Sequence, residues 1–282
     1  MSAGVHTVVI VLNWNGRDDL LRCLGSLQPQ LSAGVKVLVV DNGSSDGSVE
    51  AASDAFPGVE VLALERNLGY ASGNNAGFRH AMQHCAPQYV VFLNNDTVVE
   101  PGSLDLLTAT LDRDTRAGIV VPKIYFMDKP GRIWYAGGVV RLGIGLVRHV
   151  GIRQTDSGQY DARQATGYAT GCCLAMRSCD FLRFGGFDER FGMYSEDVDL
   201  SLRVQHEGFF VVYEPSARVQ HRVSASLGGG MHPQKLFRRS AAMLRLMAKH
   251  RAWSGFVCYP FVLLLQALGA LPNVFARTTP ES

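Results

Sequence analysis

The hydrophobic positions of the N-terminal half follow two alternating periods. Val5–Leu12 is dominated by apolar, β-branched residues, as expected of a strand buried on both faces of a parallel sheet. In Asp18–Leu27, residues Leu20, Leu21, Leu24 and Leu27 share one helical face. Val35–Val40 predicts a second buried strand, Val59–Leu64 a third and Tyr89–Leu93 a fourth, with a helix over Gly73–His84 between the last two. Strands and helices alternating at this spacing predict a doubly wound, mostly parallel α/β sheet. Polar clusters follow three of the strands: Asn13-Trp14-Asn15, Asp41-Asn42-Gly43 and Asn94-Asn95-Asp96. Any one of them reads as a turn or a helix cap. Three at one edge of an open sheet predict a shared ligand site, because such sheets bind beyond the carboxyl ends of their strands.

The pattern then changes. Ile133–Val150 reads as a glycine-rich hairpin, Gly151–Gln164 as a polar, mobile loop, and Thr166–Met176 as a strand of small residues. Ser195–Glu207 has helical spacing, and Phe209–Tyr213 and Ala217–Gln220 read as strand-like stretches. From Pro233 to Arg251, apolar and basic positions alternate at the period of an amphipathic helix, and Phe256–Leu271 follows almost without polar residues. That run is shorter than the ~20 residues needed to span a bilayer and is interrupted by Pro260 and Gln266. The expected organisation is a domain over residues 1–230, divided at 97/98 where the pattern changes, with a helical tail over 231–282.

Charge supports that division. Residues 215–282 hold nine Lys/Arg and a single acid, Glu281, while the preceding residues hold 18 Lys/Arg and 24 Asp/Glu. A basic tail on an acidic body fits either a solvated helix or contact with an anionic surface. The six cysteines contain no CxxC pair, so a zinc site or disulfide framework is not expected, and buried reduced thiols in a reducing compartment are. No signal peptide is read at the N-terminus, and the expected location is cytoplasmic.

Asp96, beside amide carbonyls at a strand end, suits a hard cation such as Mg²⁺ or Mn²⁺ bound with substrate phosphates, although a lone Asp there also serves as a cap. Glu196, Asp197 and Asp199 crowd one helix start. The helix dipole favours acids there, yet three of them repel, which is easier to justify if one is a general base or a cation lies near. Asp199 and Arg203 are spaced as a structural ion pair, leaving Glu196 and Asp197 for chemistry. His221 is a candidate metal ligand with Asp96 or a hydrogen-bonded structural histidine. Gly69, Gly73 and Gly77, interleaved with Asn67, Asn74 and Asn75, suggest backbone that approaches a ligand closely. No GK[ST] follows, so this is not a P-loop, and the GxGxxG pattern is absent.

Taken in order, VVIVLNWNG (8–16), VLVVDNGSSDGS (37–48), RNLGYASGNNAGF (66–78), VVFLNNDT (90–97), GCCLAMR (171–177), GGFDERFGMYSEDVDLSLR (185–203) and VQH (219–221) resemble the inverting family 2 glycosyltransferases. The wording is most similar to their rhamnosyltransferase-like branch. The resemblance implies a GT-A fold, a nucleoside diphosphate sugar donor, a divalent metal cofactor (Mg²⁺ or Mn²⁺), and a glycan or polyprenyl-linked glycan acceptor. The donor it implies is dTDP-rhamnose, with a UDP-hexose or galactofuranose donor as the alternative. Matched residue by residue, Asp41 holds the nucleoside, and Asn13 and Asn67 line the same pocket, with Asn15, Gly69, Asn74 and Asn95 beside them. Asp96 is the last acid of the DxD-type metal motif, and Asn94 stands where many members carry an acid. Asp197 is the catalytic base, Glu196 supports it or contacts the acceptor, and His221 completes the metal site. Residues 151–165 are expected to close over the donor. The basic tail is expected either at the inner face of a membrane or in a homodimer interface.

Three other readings remain to be separated. A degenerate domain would hold nucleotide without turnover, which the presence of Asp96, Asp197 and His221 argues against. A nucleotidyltransferase would carry a Gly-rich basic loop after the first strand, which Asn13–Arg17 lacks. A nucleic-acid binder has the basic tail but no recognition motif, so no nucleic-acid partner is expected.

Overall fold

The structure is a computed structural model, described here over residues 5–31, 34–223 and 233–267. The expected boundary at 230/231, the last four residues of the apolar run (268–271) and Glu281 lie outside these residues. The first half alternates as its pattern predicts: β1 (Thr7–Asn13), α1 (Arg17–Leu27), β2 (Val35–Asp41), α2 (Ser48–Ala55), β3 (Glu60–Ala63), α3 (Gly69–His84) and β4 (Tyr89–Asn94). Then come β5 (Thr97–Val99), α4 (Ser103–Arg113), β6 (Ala117–Phe126), β7 (Ile133–Tyr135), β8 (Gly138–Arg141), β9 (Leu146–His149), β10 (Gln164–Thr166), β11 (Cys173–Arg177), α5 (Ser178–Arg183), α6 (Glu196–His206) and β12 (Phe210–His221). The C-terminal helices are α7 (Pro233–Lys249) and α8 (Trp253–Ala267).

One sheet organises the molecule, in the order β10-β12-β6-β11-β4-β1-β2-β3, with β5 on β12 and β7 on β6. β1 pairs parallel with β2 and β4, and β2 with β3. β11 runs antiparallel between β4 and β6, and β12 is parallel to β6. The carboxyl ends of β1, β2, β4 and β12 therefore emerge at the same end of the sheet. The central strands are buried on both faces, with Val9, Ile10, Val11, Val39, Val40, Val91 and Phe92 inaccessible. α1 covers one face through Leu20, Cys23, Leu24 and Leu27, and Leu21 is half-buried at its margin.

Several segments differ from their pattern. The stretch 166–176 is not one strand: a turn over 167–172 separates β10 from β11. The two strand-like stretches on either side of Pro215 are one strand, β12, whose register on β6 shifts between Glu214 and Arg218, so a bulge absorbs the proline. Residues 151–164 form no regular element beyond the start of β10, yet they are fastened down. The fully buried ammonium of Lys123 pairs with Asp156 at 2.9 Å and with Asp161, and the Tyr125 hydroxyl donates to Asp156 at 2.5 Å. Lifting this segment as a lid would strand a buried cation, at a cost of several kcal/mol. The segment expected to close over the donor is held by these anchors. All six cysteines are free; Cys23, Cys172 and Cys173 are buried and Cys179 is exposed.

Candidate active site

The three polar strand ends meet. Asn13, fully buried, donates from Nδ2 to Asp41 Oδ1 at 2.9 Å and accepts from Asn95 Nδ2 at 2.6 Å, tying the ends of β1, β2 and β4 together. Asp41 also accepts from the backbone N–H and hydroxyl of Ser44, at 2.8 and 2.6 Å. Asn15, in the left-handed region at φ 48°, accepts from the N–H of Ser45 at 2.8 Å, while its own N–H donates to Ser44 Oγ at 2.9 Å. The loops after β1 and β2 are thus stitched into one polar rim.

A second layer comes from Asn42, which the sequence placed in a cluster but did not single out. It is buried, donates to Asn67 Oδ1 and to the carbonyl of Gly69, both at 3.1 Å, and accepts the N–H of Leu68 at 2.9 Å. Asn67 itself accepts the N–H of Gly69 at 2.8 Å. The close approaches in this glycine-rich segment are made to the protein. Gly69, at φ +84°, lies against the carbonyl of Gly192, which accepts the N–H of Tyr70 at 2.9 Å and of Ala71 at 3.3 Å. A Cβ on Gly73 would strike Leu12 and one on Gly77 would strike Val40, so these two glycines let α3 press onto the sheet. Asn74 is buried and donates to the Tyr70 carbonyl within its own helix at 3.0 Å, and its Oδ1 has no hydrogen-bond partner among the described residues.

Asp96 and His221 are 125 residues apart and come together. β12 pairs with β5 so that His221 faces Thr97, and His221 Nε2 lies 3.2 Å from Asp96 Oδ1. The His221 Nδ1 atom is buried without a hydrogen-bond partner among the described residues. The His221 ring packs on the edge of Trp134, which also contacts His149, with centroids 4.5 and 4.4 Å apart. Burial pushes the His149 imidazole down to about 4, so it is neutral at pH 7. Among the described residues no group of three or more His, Cys, Asp or Glu side chains surrounds one point. A divalent cation held here would use the Asp96 carboxylate and the His221 imidazole and complete its shell with substrate and water oxygens. An oxygen donor beside a nitrogen donor suits Mn²⁺ better than Mg²⁺, which prefers oxygen throughout. The buried Nδ1, on the side of the ring away from Asp96, would take a partner such as water or a ligand atom.

The paired acids reach the same end of the sheet through the turn 170–172. The Gly171 N–H donates to Asp197 Oδ2 at 2.8 Å, and the next carbonyl, of Cys172, accepts the N–H of Asn94 at 3.0 Å, two residues before Asp96. Tyr70 braces the turn, its hydroxyl donating to the Gly171 carbonyl at 2.6 Å. The second Asp197 oxygen accepts the N–H of Val198 at 2.8 Å. Tyr194 and Ser195, immediately before the pair, both adopt left-handed conformations, at φ 76° and 70°. Two successive non-glycine residues of this kind cost about 1–3 kcal/mol each and mark a backbone bent for a purpose. Burial pushes the Glu196 carboxyl well above the usual carboxylate range, with the Asp197 charge adding to the effect. Glu196 Oε2 has no hydrogen-bond partner among the described residues. Burial also raises Asp197, but its two backbone N–H donors work against the rise. Of the two, Asp197 is the one equipped to carry charge.

Asp199 is fully buried and pairs with Arg203 Nε at 2.8 Å, as its spacing predicts. The tail supplies two partners the sequence did not reveal: Lys249 Nζ, at 2.8 Å, and His250 Nε2, at 2.9 Å. Lys249 also reaches Asp188 at 2.7 Å.

A mostly parallel sheet of this order, with antiparallel β11 at its centre, polar strand ends sewn into one rim and acids beside them, is the GT-A architecture of a glycosyltransferase. The chain belongs to glycosyl transferase family 2, whose model matches residues 8–181. It is 30% identical over 263 residues to the N-acetylglucosaminyl-diphospho-decaprenol L-rhamnosyltransferase of Mycobacterium tuberculosis, covering 87% of this chain and 85% of that one. It is 29% identical over 251 residues to the pre-mycofactocin glycosyltransferase of the same organism, covering 84% of this chain and 47% of that one. Among solved structures it resembles GalNAc-T7 with UDP, GalNAc and Mn²⁺, at a TM-score of 0.67 and 16% identity, over 88% of this chain and 48% of that one. It also resembles a mannosyltransferase of Pyrobaculum calidifontis in complex with GDP-Man and Mn²⁺, at a TM-score of 0.62 and 17% identity, over 97% and 78%.

Proposed function

We propose that the chain transfers a sugar, with inversion, from a nucleoside diphosphate to a hydroxyl of a lipid-linked glycan, and that the sugar is rhamnose carried by dTDP. The observation that carries this reading is the junction at the 170–172 turn: Asp197 is bound to Gly171, whose neighbour is bound to the strand leading to Asp96 and His221. Sugar and acceptor are taken from the mycobacterial rhamnosyltransferase, whose name specifies a GlcNAc-diphospho-lipid.

In this reading residues 1–97 form the nucleotide half and 98–230 the acceptor half. Asp41, Asn13, Asn15, Asn67 and Asn95 shape the nucleoside side of the cleft, with Asn42 and Ser44 fixing them. Gly69 and Asn74 act through the packing of α3. Asp96 and His221 would hold the cation, with a donor set that suits Mn²⁺. When bound, it supplies positive charge against the oxygens of the departing diphosphate. Asp197 takes the acceptor proton as that oxygen attacks the anomeric carbon from the face opposite the leaving group. The C–O bond to the diphosphate breaks, and its electron pair leaves with the phosphate oxygen. Glu196, whose carboxyl burial pushes toward the neutral form and whose Oε2 has no partner among the described residues, faces the acceptor as a hydrogen-bonding group. Two neighbouring carboxyls pushed apart in this way divide donor and base roles between them.

Product formation from dTDP-rhamnose and a GlcNAc-diphospho-polyprenol is the direct test. Turnover with a UDP-hexose and none with dTDP-rhamnose would replace the donor and leave the class standing. His221→Ala is expected to weaken Mn²⁺ activation about 10–100-fold while melting within a few degrees of the parent. An unchanged Mn²⁺ titration would remove His221 from the site.

A further inference from the structure

α8 carries no charged residue. One side faces the body: Gly255 leaves no room for a Cβ beneath the Leu142 carbonyl, and Tyr259 and Val262 are buried. The opposite side is bare. Trp253, Phe256, Val257, Phe261, Leu264 and Leu265 are exposed, Trp253, Val257 and Phe261 by 64–70%, and their spacing places them on one stripe. An apolar stripe of this length facing water calls for a cover.

The chemistry of that cover is indicated by α7, which touches α8 where the Tyr259 hydroxyl meets Ser240 Oγ at 3.3 Å. α7 exposes Phe237 and Leu244 beside the exposed cations Arg238, Arg239 and Arg245, and Arg251 is exposed where the two helices join. From 233 to 267 there is no acidic residue. Exposed aromatic and aliphatic side chains on two helices that carry cations and no acid match an anionic bilayer surface, where rings and alkyl groups enter the acyl boundary and arginines meet lipid phosphates. A second copy of the chain fits less well, because a two-fold contact through one patch brings together two sets of arginines from helices that carry no acid to pair with them. Nor does α8 span: it has 15 residues, and no described helix is long and apolar enough to cross a membrane.

We propose that α7 and α8 form a docking surface for an anionic lipid bilayer, with α8 lying in the plane of the interface. The proposal stands on these two helices and is independent of the sugar transferred. It also gives the ion cluster at Asp199 a further consequence, since Lys249 and His250 fasten this surface to the helix that carries Asp197.

The test is cosedimentation of the full chain with vesicles of phosphatidylcholine alone and of phosphatidylcholine mixed with phosphatidylglycerol. Binding is expected only with the anionic vesicles. Arg238→Gln with Arg251→Gln should weaken it about thirtyfold, from ~1 kcal/mol per cation at such a surface. Val257→Asp with Phe261→Asp should abolish it. Both pairs lie on exposed positions and should melt with the parent, which separates lost docking from lost folding. Absence of binding, or equal binding to both vesicle types, would overturn the proposal. So would a dimer in sedimentation velocity that the aspartate pair dissolves, without vesicle binding. Failure to transfer rhamnose would leave the vesicle result intact, so the two readings fail separately.

Discussion

Asp197→Asn is expected to lower kcat by about a thousandfold with little change in nucleotide affinity. General-base catalysis contributes about 10²–10⁴-fold, and the amide keeps the carboxylate's shape while losing its capacity to take a proton. One amide oxygen can still accept the Gly171 N–H, so the 170–172 turn should hold. Single-turnover kinetics with saturating donor, together with isothermal titration of the nucleotide, check both halves. The pH profile supplies an independent signature. The base works ionised, and burial raises its folded pKa, so activity should fail on acidification at a pH above the ~3.9 of an ordinary Asp. In the Asn variant that acid limb should vanish along with the rate. A variant retaining a tenth or more of the parent's kcat would move the base to Glu196, whose unpartnered oxygen is the nearest alternative.

How much of this was readable along the chain depends on the range of the interaction. β1, β2 and β4 were legible because a strand buried on both faces writes itself as a continuous apolar run, while β3, at the sheet edge and only partly buried, showed itself by its short apolar stretch alone. Polar residues at their carboxyl ends then located the rim formed by Asn13, Asp41 and Asn95. β12 was read as two pieces because Pro215 breaks the pattern of a strand, and only the pairing with β6 shows that a bulge carries it through. The glycines of α3 were attributed to ligand approach, since a glycine signals close approach without naming what approaches. Gly73 and Gly77 meet the sheet, and Gly69 meets Gly192. Loop 151–164 looked mobile because it is polar. Its anchor, Lys123, sits inside an apolar strand where sequence offers no hint of its partners Asp156 and Asp161. Trp134 and His149, which frame His221, share neither a motif nor a fixed spacing with it.

The least legible contact is the one expected to matter most for stability. Asp199→Ala should cost about 3–5 kcal/mol, because it leaves Arg203, Lys249 and His250 facing a buried void. For a chain of this size that is a fall of about 10 °C in melting temperature, readable by calorimetry. Lys249→Ala should cost less, since Asp199 keeps Arg203 and His250. Burial alone would raise the Asp199 carboxyl, but His250, Lys249 and Arg203 together hold it below the usual range. Asp188 is held well below that range too, by Arg190 first and by Lys249. Acids depressed in the folded state stabilise it fully above their unfolded pKa, about 4, and lose that contribution as pH falls through the lower folded values. The gap in melting temperature between parent and Asp199→Ala should therefore be constant from pH 8 to about pH 5 and shrink only below pH 4. A gap that closed between pH 7 and 5 would point to protonation of histidine as its source. Because Asp199 lies two residues beyond Asp197 on the same helix, its loss should also depress kcat at temperatures where the variant is fully folded. A folded variant with unimpaired kcat would show that the tail stabilises the protein without positioning the base.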